Sequence, residues 1–239
     1  MSKKIIWIAA IIGIYVGCVS CCVTFPITIK GNGNVVTSEK TVSAFDKIRV
    51  SNSAVVRFHA SQEYRAVVTV DENLDEYVEI VTKNNVLNIG TKSGSYSFTK
   101  FQVDVYCPVL TGVSMSGSGN FENMDKITTS TFETSVSGSG RIKVTIDCEN
   151  FSARISGSGG ITTNGNSKDA DIVISGSGQF SGNEFNIKNA TVRVSGSGNV
   201  SICVTDNLTA NISGSGGINY RGEPKIDSKV SGSGRIRKL

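Results

Sequence analysis

Histidine, proline and aromatic residues are scarce in this chain of 239 residues. The only histidine, His59, lies in the alternating run Val55–Ala60, so a metal site or a catalytic pair that needs two imidazoles is excluded. The alternation favours a surface strand for His59. Three prolines occur in the whole chain, and helical periodicity is absent from its second half. These absences predict a protein with no catalytic residues, no metal site and no cofactor.

A four-residue motif, Ser-Gly-Ser-Gly, recurs through the second half of the chain. Its seven copies are spaced 18 to 21 residues apart. They begin at Ser116, Ser137, Ser156, Ser175, Ser195, Ser213 and Ser231. A fixed period of this length is typical of a solenoid, in which each repeat buries its apolar side against its neighbours.

Apolar and polar residues alternate on both sides of the motif. The residue before each copy is apolar: Met115, Val136, Ile155, Ile174, Val194, Ile212 and Val230. The second residue after each copy is also apolar: Phe121, Ile142, Ile161, Phe180, Val200, Ile218 and Ile236. This period-2 pattern predicts one strand before the motif and another after it, each with one buried face.

The motif itself is predicted to form the corner between these two strands. Its glycines permit a positive φ or a tight bend, and its serines can bond to nearby backbone. The corner glycines are Gly117, Gly119, Gly138, Gly140, Gly157, Gly159, Gly176, Gly178, Gly196, Gly198, Gly214, Gly216, Gly232 and Gly234. Coils of about 19 residues predict an all-β, parallel β-helix-like solenoid with stacked serines. An array of β-hairpins, with the motif at every second turn, is the main alternative.

The N-terminus has the composition of an export signal. Lys3 and Lys4 precede the apolar run Ile5–Val19, and small residues and cysteines follow. The alternative is a retained membrane anchor. Cys21 is the first candidate for lipidation and Cys18 the second. We therefore divide the chain into a signal or anchor (1–22), a short linker (23–30), a less regular N-terminal β portion (31–112) and the repeat β-helix (113–239).

The distribution of charge does not indicate a nucleic-acid partner. The formal net charge is +4, from 24 basic and 20 acidic residues, and the nearly neutral body disfavours a nucleic-acid groove. The basic end, Arg235–Lys238, is expected to give the last coil a polar cap.

Cys107, Cys148 and Cys203 do not form one column of the repeat, so buried free thiols are favoured, although a bulge could permit a disulfide.

Several segments of the chain resemble one known family. Gly-Asn-Gly-Asn-Val at 31–35, Phe45–Ile48, Asp71–Leu74, the lead-in Pro108–Leu110 and the Ser-Gly-Ser-Gly array together resemble the auto-transporter adhesin head GIN domain family of exported bacterial proteins. The resemblance covers roughly residues 31–237. It implies a right-handed β-helix-like fold, a location in the cell envelope and an adhesin function, and it supplies no catalytic residues.

Acidic and aromatic residues on the outer face are too dispersed to indicate an enzyme. Glu133 and Asp171 share a column but lie two coils apart, about 10 Å by strand spacing, which is at or beyond the long end for an inverting carboxylate pair. Exposed aromatic residues are few, and Tyr96 and Tyr220 are the only candidates for stacking on a sugar.

These observations predict a non-enzymatic, exported protein of the cell envelope that binds an unidentified surface ligand, a glycan or a protein, and contacts the membrane through its N-terminus. A carbohydrate-active β-helix enzyme and a structural component of the envelope are the alternatives. The binding residues and the oligomeric state remain open at this stage.

Overall fold

The computed structural model describes residues 28–239, which are almost entirely β-structure. One short 3-10 helix, Glu72–Tyr77, begins within the acidic segment Asp71–Leu74. The strands are β1 Thr28–Lys30, β2 Val35–Thr41, β3 Lys47–Val50, β4 Val55–Ala60, β5 Arg65–Asp71, β6 Val78–Lys83, β7 Val86–Thr91, β8 Ser95–Ser97, β9 Phe101–Cys107, β10 Gly112–Met115, β11 Asn120–Asn123, β12 Ile127–Val136, β13 Arg141–Ile155, β14 Gly160–Gly176, β15 Gln179–Gly196, β16 Asn199–Gly214, β17 Gly217–Arg221, β18 Lys225–Gly232 and β19 Arg235–Lys238.

Successive coils of the repeat region stack in parallel. Phe151 of β13 pairs with Ala170 of β14, 19 residues later, and Ala170 pairs in turn with Ala190 of β15. Every pairing among β10 to β19 is parallel. The predicted solenoid is thus confirmed and the hairpin array is wrong, because hairpins would pair neighbouring strands in antiparallel fashion.

Each long strand covers almost a whole coil. The strand β13, for example, pairs with β14 over residues 141–148 and 150–155. We divide each coil into three faces, named by their position relative to the motif: the first face precedes the motif, the second face follows it, and the third face connects the second to the next first. The sequence predicts the first and second faces but leaves the third undescribed.

The N-terminal portion mixes parallel and antiparallel strands. The pairs β2–β5, β5–β9 and β6–β7 are antiparallel, and β6 and β7 are joined at Asn84 and Asn85, which both have positive φ. The coil formed by β3 and β4 lies between β7 and β9 on one side and β10 and β11 on the other. The order of layers thus differs from the order of the chain. Antiparallel strands close this end of the solenoid.

The core follows the columns read from the sequence, except in the last coil. The residues immediately before the first six motifs, and the second residues after them, are buried. In the last coil, all eight residues of β18 are exposed, including Ile226 and Val230 at 40% and 44%. No coil among residues 28–239 covers the outer side of β18 and β19.

Candidate binding surface

The motif serines form two straight rows along one edge of the solenoid. All fourteen are exposed, while the second glycine of each of the first six motifs is buried. The first row is Ser116, Ser137, Ser156, Ser175, Ser195, Ser213 and Ser231, and the second is Ser118, Ser139, Ser158, Ser177, Ser197, Ser215 and Ser233. We call these fourteen residues the serine edge. Seven coils at the usual spacing of about 4.8 Å give it a length of roughly 30 Å.

The hydroxyls of the serine edge are largely unused by the protein itself. Within residues 28–239, the Ser116 Oγ donates a long hydrogen bond of 3.5 Å to the Val50 carbonyl. The other thirteen side chains make no hydrogen bond to another described residue. Since each hydroxyl can donate one hydrogen bond and accept two, the edge offers a regular array of donors and acceptors to an external partner.

Backbone packing explains why glycine separates the serines. A Cβ atom on Gly157 would lie 2.5 Å from the Gly138 carbonyl oxygen, and one on Gly216 would lie 2.4 Å from the Gly198 oxygen. A positive φ contributes only at the first glycine of the last four motifs, Gly176, Gly196, Gly214 and Gly232. In the first three motifs, close stacking of the coils alone leaves no space for a side chain.

The corner begins one coil before the first motif. Ser51–Ala54 stacks beneath the first copy, because the Ser116 N–H donates to the Val50 carbonyl and the Gly119 N–H donates to the Asn52 carbonyl. These four residues therefore continue the corner in a degenerate form. The segment Gly31–Asn34, whose sequence also resembles the motif, has a different place in the fold.

Gly31–Asn34 wraps around a buried carboxylate. Asp71 is fully buried and accepts hydrogen bonds from the Gly33 N–H (3.1 Å), the Thr99 N–H (2.8 Å) and the Thr99 hydroxyl. Burial by itself raises the pKa of Asp71, but the hydrogen bonds from Thr99 and Gly33 outweigh it and hold the pKa below its ordinary value. Asp71 thus ties two loops together at the N-terminal end.

Two ladders of amide side chains connect successive coils. On the first face, the Asn189 Nδ2 donates to Asp169 Oδ1 (2.9 Å), and the Asn207 Nδ2 donates to Asn189 Oδ1 (2.8 Å). The second ladder connects Asp147, Asn166 and Asn186 on the third face. Stacked amides of this kind stabilise parallel strands. The first-face ladder is recognisable in the sequence, because an amide or carboxylate side chain occurs six residues before four successive motifs: Asn150, Asp169, Asn189 and Asn207.

The outer-face acids are engaged by neighbouring cations. Glu133, Ser152 and Asp171 are in register on three successive coils. Lys47 donates to Glu133 at 2.9 Å, and Arg193 donates to Asp171 at 2.7 Å. Ion-paired carboxylates on a flat, solvated face have the features of surface charges and lack those of an acid and base pair.

His59 and the two tyrosines also belong to the packing. His59 is half-buried, contacts Asp104 at 3.1 Å and stacks on Tyr106. Tyr96 packs against Tyr77 with ring centroids 5.0 Å apart, and Tyr220 is half-buried against the core. Both tyrosines are thus partly occupied by contacts within the protein.

The three cysteines of the described region are free thiols. Cys107 is completely buried, and burial raises its pKa to about 12. Cys148 and Cys203 are half-buried. The lipidation candidates Cys21 and Cys18 lie outside the described residues.

Residues 28–239 contain no cluster of three or more side chains suited to hold a metal ion. Over the same range, no helix has the length and apolar character needed to cross a bilayer. The arrangement offers an extended polar surface and, in the described part, no enclosed reaction site.

Comparison with known proteins identifies relatives of this architecture. A family model described as "Putative auto-transporter adhesin, head GIN domain" matches residues 44–224. A comparison with curated proteins found no match.

Several solved structures cover nearly the whole described region. One from Parabacteroides distasonis, described as a "Putative lipid binding protein", is 28% identical with a TM-score of 0.75, and the alignment covers 89% of this chain and 100% of that one. A "putative adhesin" from Parabacteroides merdae is 27% identical with a TM-score of 0.72, over 89% and 99%. Another from Bacteroides fragilis shares the fold at a TM-score of 0.84 with 21% identity, over 88% and 100%.

Proposed function

The chain belongs to the family described as "Putative auto-transporter adhesin, head GIN domain", and from this premise we propose that it is a non-enzymatic surface-binding protein of the cell envelope. The observation that carries the proposal is the serine edge. Fourteen exposed hydroxyls, repeated once per coil in two rows, form a long ligand surface with a fixed period. A partner with its own repeated hydrogen-bonding groups, such as a polysaccharide, fits such a surface best.

The fold supports binding along a surface. A parallel solenoid keeps equivalent side chains about 4.8 Å apart on every coil, so several weak contacts can act on one extended ligand at once. Each exposed hydroxyl contributes little by itself, since water competes for it. Affinity in this arrangement comes from the number of contacts.

Binding and catalysis are separated by one experiment on the full-length chain. Retention of the protein is measured on an array of bacterial, plant and animal polysaccharides, surface proteins and lipid vesicles. Chromatography of the eluted material then shows whether any polysaccharide has been cleaved. We expect retention on at least one glycan or protein without any shortened product. Product release would contradict the proposal in favour of a carbohydrate-active enzyme. Absence of retention on every surface would contradict it in favour of a structural component of the envelope.

The envelope location is tested separately at the N-terminus. In cells that make the full chain, metabolic labelling with a fatty-acid probe is expected to modify the wild type and to fail for Cys21→Ala. If the label is retained in Cys21→Ala and lost in Cys18→Ala, the lipidated residue is Cys18. A full chain that stays in the cytoplasm would contradict the envelope location.

A further inference from the structure

The C-terminal end of the solenoid carries the positive charge of the molecule. Residues 221–239 contain six basic and two acidic side chains, a net of +4, which equals the formal net charge of the whole chain. One of the acids, Glu223, already pairs with Lys238. The basic side chains are exposed on the last coil, where no further coil covers them among the described residues. This end therefore has a local positive field that the body of the solenoid lacks.

A shallow groove lies on the second face within this charged region. Its floor is Gly217, which pairs with Asn199 on the preceding coil and with Arg235 on the following one. Gly217 is the first residue after its motif, and the equivalent residues of the other coils are Asn120, Arg141, Gly160, Gln179, Asn199 and Arg235. The missing side chain of Gly217 opens a notch between Asn199 and Arg235. We call it the terminal groove, and its walls are Asn199, Ser215, Asn219, Ser233, Arg235 and Arg237.

The two arginines of the terminal groove have no acidic partner within residues 28–239. Neither Arg235 nor Arg237 lies within 4.0 Å of a described carboxylate, in contrast to Arg154 and Arg193, which both approach Asp171. They lie two residues apart on β19, on the same outer side of the strand. Two unpaired guanidinium groups on one side of a groove are suited to bidentate recognition of a carboxylate or a sulfate.

We infer that the terminal groove binds an acidic polysaccharide, with Arg235 and Arg237 holding its carboxylate or sulfate groups. The amides of Asn199 and Asn219 and the hydroxyls of Ser215 and Ser233 supply donors and acceptors for the sugar hydroxyls beside the charge. The inference rests on the proposed function, since it names the ligand class for one end of the same surface. Ser215 and Ser233 are also members of the serine edge, so a long chain can continue from the groove onto the edge.

The lining of the groove favours a glycan over other polyanions. Single-stranded nucleic acid is held by stacking its bases on aromatic side chains, and no aromatic residue lines the terminal groove. A second copy of this chain, docked end to end, is the other partner to be tested, and the experiment below includes it.

The test measures binding of the full-length chain to immobilised heparin and polygalacturonate, with dextran as the neutral polymer. The double variant Arg235→Gln/Arg237→Gln is expected to weaken binding to the acidic polymers about tenfold or more. The matched control, Lys225→Gln/Lys229→Gln, removes the same charge from the first face of the same coil and is expected to change binding about threefold or less. Equal losses in both variants would overturn the site, because they would reflect net charge alone.

A third variant tests the groove without changing charge. Gly217→Gln places at this position the residue that Gln179 provides on another coil. A Cβ atom there meets only the flexible end of Asn199, at 2.9 Å, so the variant is expected to fold and to bind heparin at least about fivefold more weakly. Unchanged binding by a folded Gly217→Gln would overturn the role of the notch.

Further outcomes separate this inference from its rivals. Inorganic sulfate or phosphate that binds as tightly as the polymers would overturn a polysaccharide site in favour of a free-anion site. A mass in sedimentation that halves in Arg235→Gln/Arg237→Gln would overturn it in favour of end-to-end association. Retention on neutral glycans without binding to acidic ones would overturn this inference and leave the proposed function intact. Acidic polymers that bind at the groove but are insensitive to the serine edge would support this inference and contradict the serine edge as the ligand surface.

Discussion

Gly157 stacks directly on Gly138 of the preceding coil. The carbonyl oxygen of Gly138 accepts hydrogen bonds from the Ser158 N–H at 3.1 Å and the Gly159 N–H at 3.0 Å. A Cβ atom on Gly157 would lie 2.5 Å from the same oxygen. The hydrogen bonds that join two coils at the corner thus leave no space for a side chain.

Replacing this glycine is therefore expected to be costly. Gly157→Ala forces the corner strands apart against a fixed carbonyl, and we expect the free energy of unfolding to fall by about 2–3 kcal/mol. The matched control is Gly160→Ala, three residues later, where the nearest contact of a new Cβ is an ordinary 3.6 Å. We expect the control to change stability by less than about 0.5 kcal/mol. Equal denaturant midpoints for the two variants would contradict the packing explanation.

The buried carboxylate of Asp71 is expected to make stability depend on pH. Its pKa in the folded state lies below the ordinary value of 3.8, so the unfolded chain takes up a proton more readily than the folded protein. The contribution of Asp71 is therefore fully present above about pH 5 and is lost as the pH falls through 3.8 and the lower folded pKa. Urea midpoints measured from pH 7 to pH 3 should fall for the wild type.

The variant Asp71→Asn isolates this contribution. It removes the charge that accepts the hydrogen bonds of Gly33 and Thr99, and we expect a loss of about 2 kcal/mol at pH 7. The difference between variant and wild type should shrink at pH 3. Asp227→Asn, on the exposed last coil, is the control and should leave the midpoint unchanged. A pH-independent difference for Asp71→Asn would show that the carboxylate charge has no part in joining the two loops.

The amide ladder on the first face is expected to contribute modestly to stability. Asn189→Ala removes one hydrogen bond to Asp169 and another from Asn207, and we expect a loss of about 1–2 kcal/mol. Asn211→Ala is the control, since its side chain makes no hydrogen bond with the rest of the described chain. Thermal unfolding of both variants checks this, and a larger loss for Asn211→Ala would contradict the ladder's role.

Cys107 is expected to resist alkylation in the folded protein. Its side chain is completely buried, and its pKa of about 12 leaves almost no thiolate at pH 8. Mass spectrometry after a short treatment with iodoacetamide should find Cys203 labelled before Cys107, and Cys107 labelled rapidly only after denaturation. Equal labelling rates in the folded state would mean that the end of β9 opens.

The sequence predicts the repeat region well because its periodicity is simple. The alternation around each motif identifies the columns at Ile155 and Ile161 and their equivalents as buried, and in the first six coils these positions form the core. The third face escapes prediction, since register shifts between Gly182 and Asn186 interrupt its columns. The amide ladder lies one position beyond the columns that alternation identifies, so hydrophobicity alone does not find it.

The N-terminal portion is harder to predict for a physical reason. The coil of β3 and β4 lies between strands that come later in the chain. The antiparallel pairs of this portion join residues that are far apart in sequence, such as Val35 and Asp71. Since the distance between such partners does not repeat along the chain, the sequence gives no periodic pattern that would identify them. The role of Asp71 also depends on loops that meet only in the folded state. Likewise, the terminal groove depends on an absent side chain at Gly217 between two coils that carry Asn199 and Arg235.

Binding along the serine edge is tested most directly by removing hydroxyls from its centre. The triple variant Ser158→Ala/Ser177→Ala/Ser197→Ala changes three successive coils without altering charge or the glycines between them. The control, Thr162→Ala/Ser181→Ala/Ser201→Ala, removes three hydroxyls from the second face of the same coils, where these residues are in register. We expect both proteins to melt like the wild type.

Retention of the two triple variants on the polysaccharide array is the decisive measurement. If the serine edge contacts the ligand, the edge variant should be retained about tenfold more weakly than the wild type, and the control should bind normally. Wild-type retention by the edge variant, with its fold intact, would contradict binding through the serine edge.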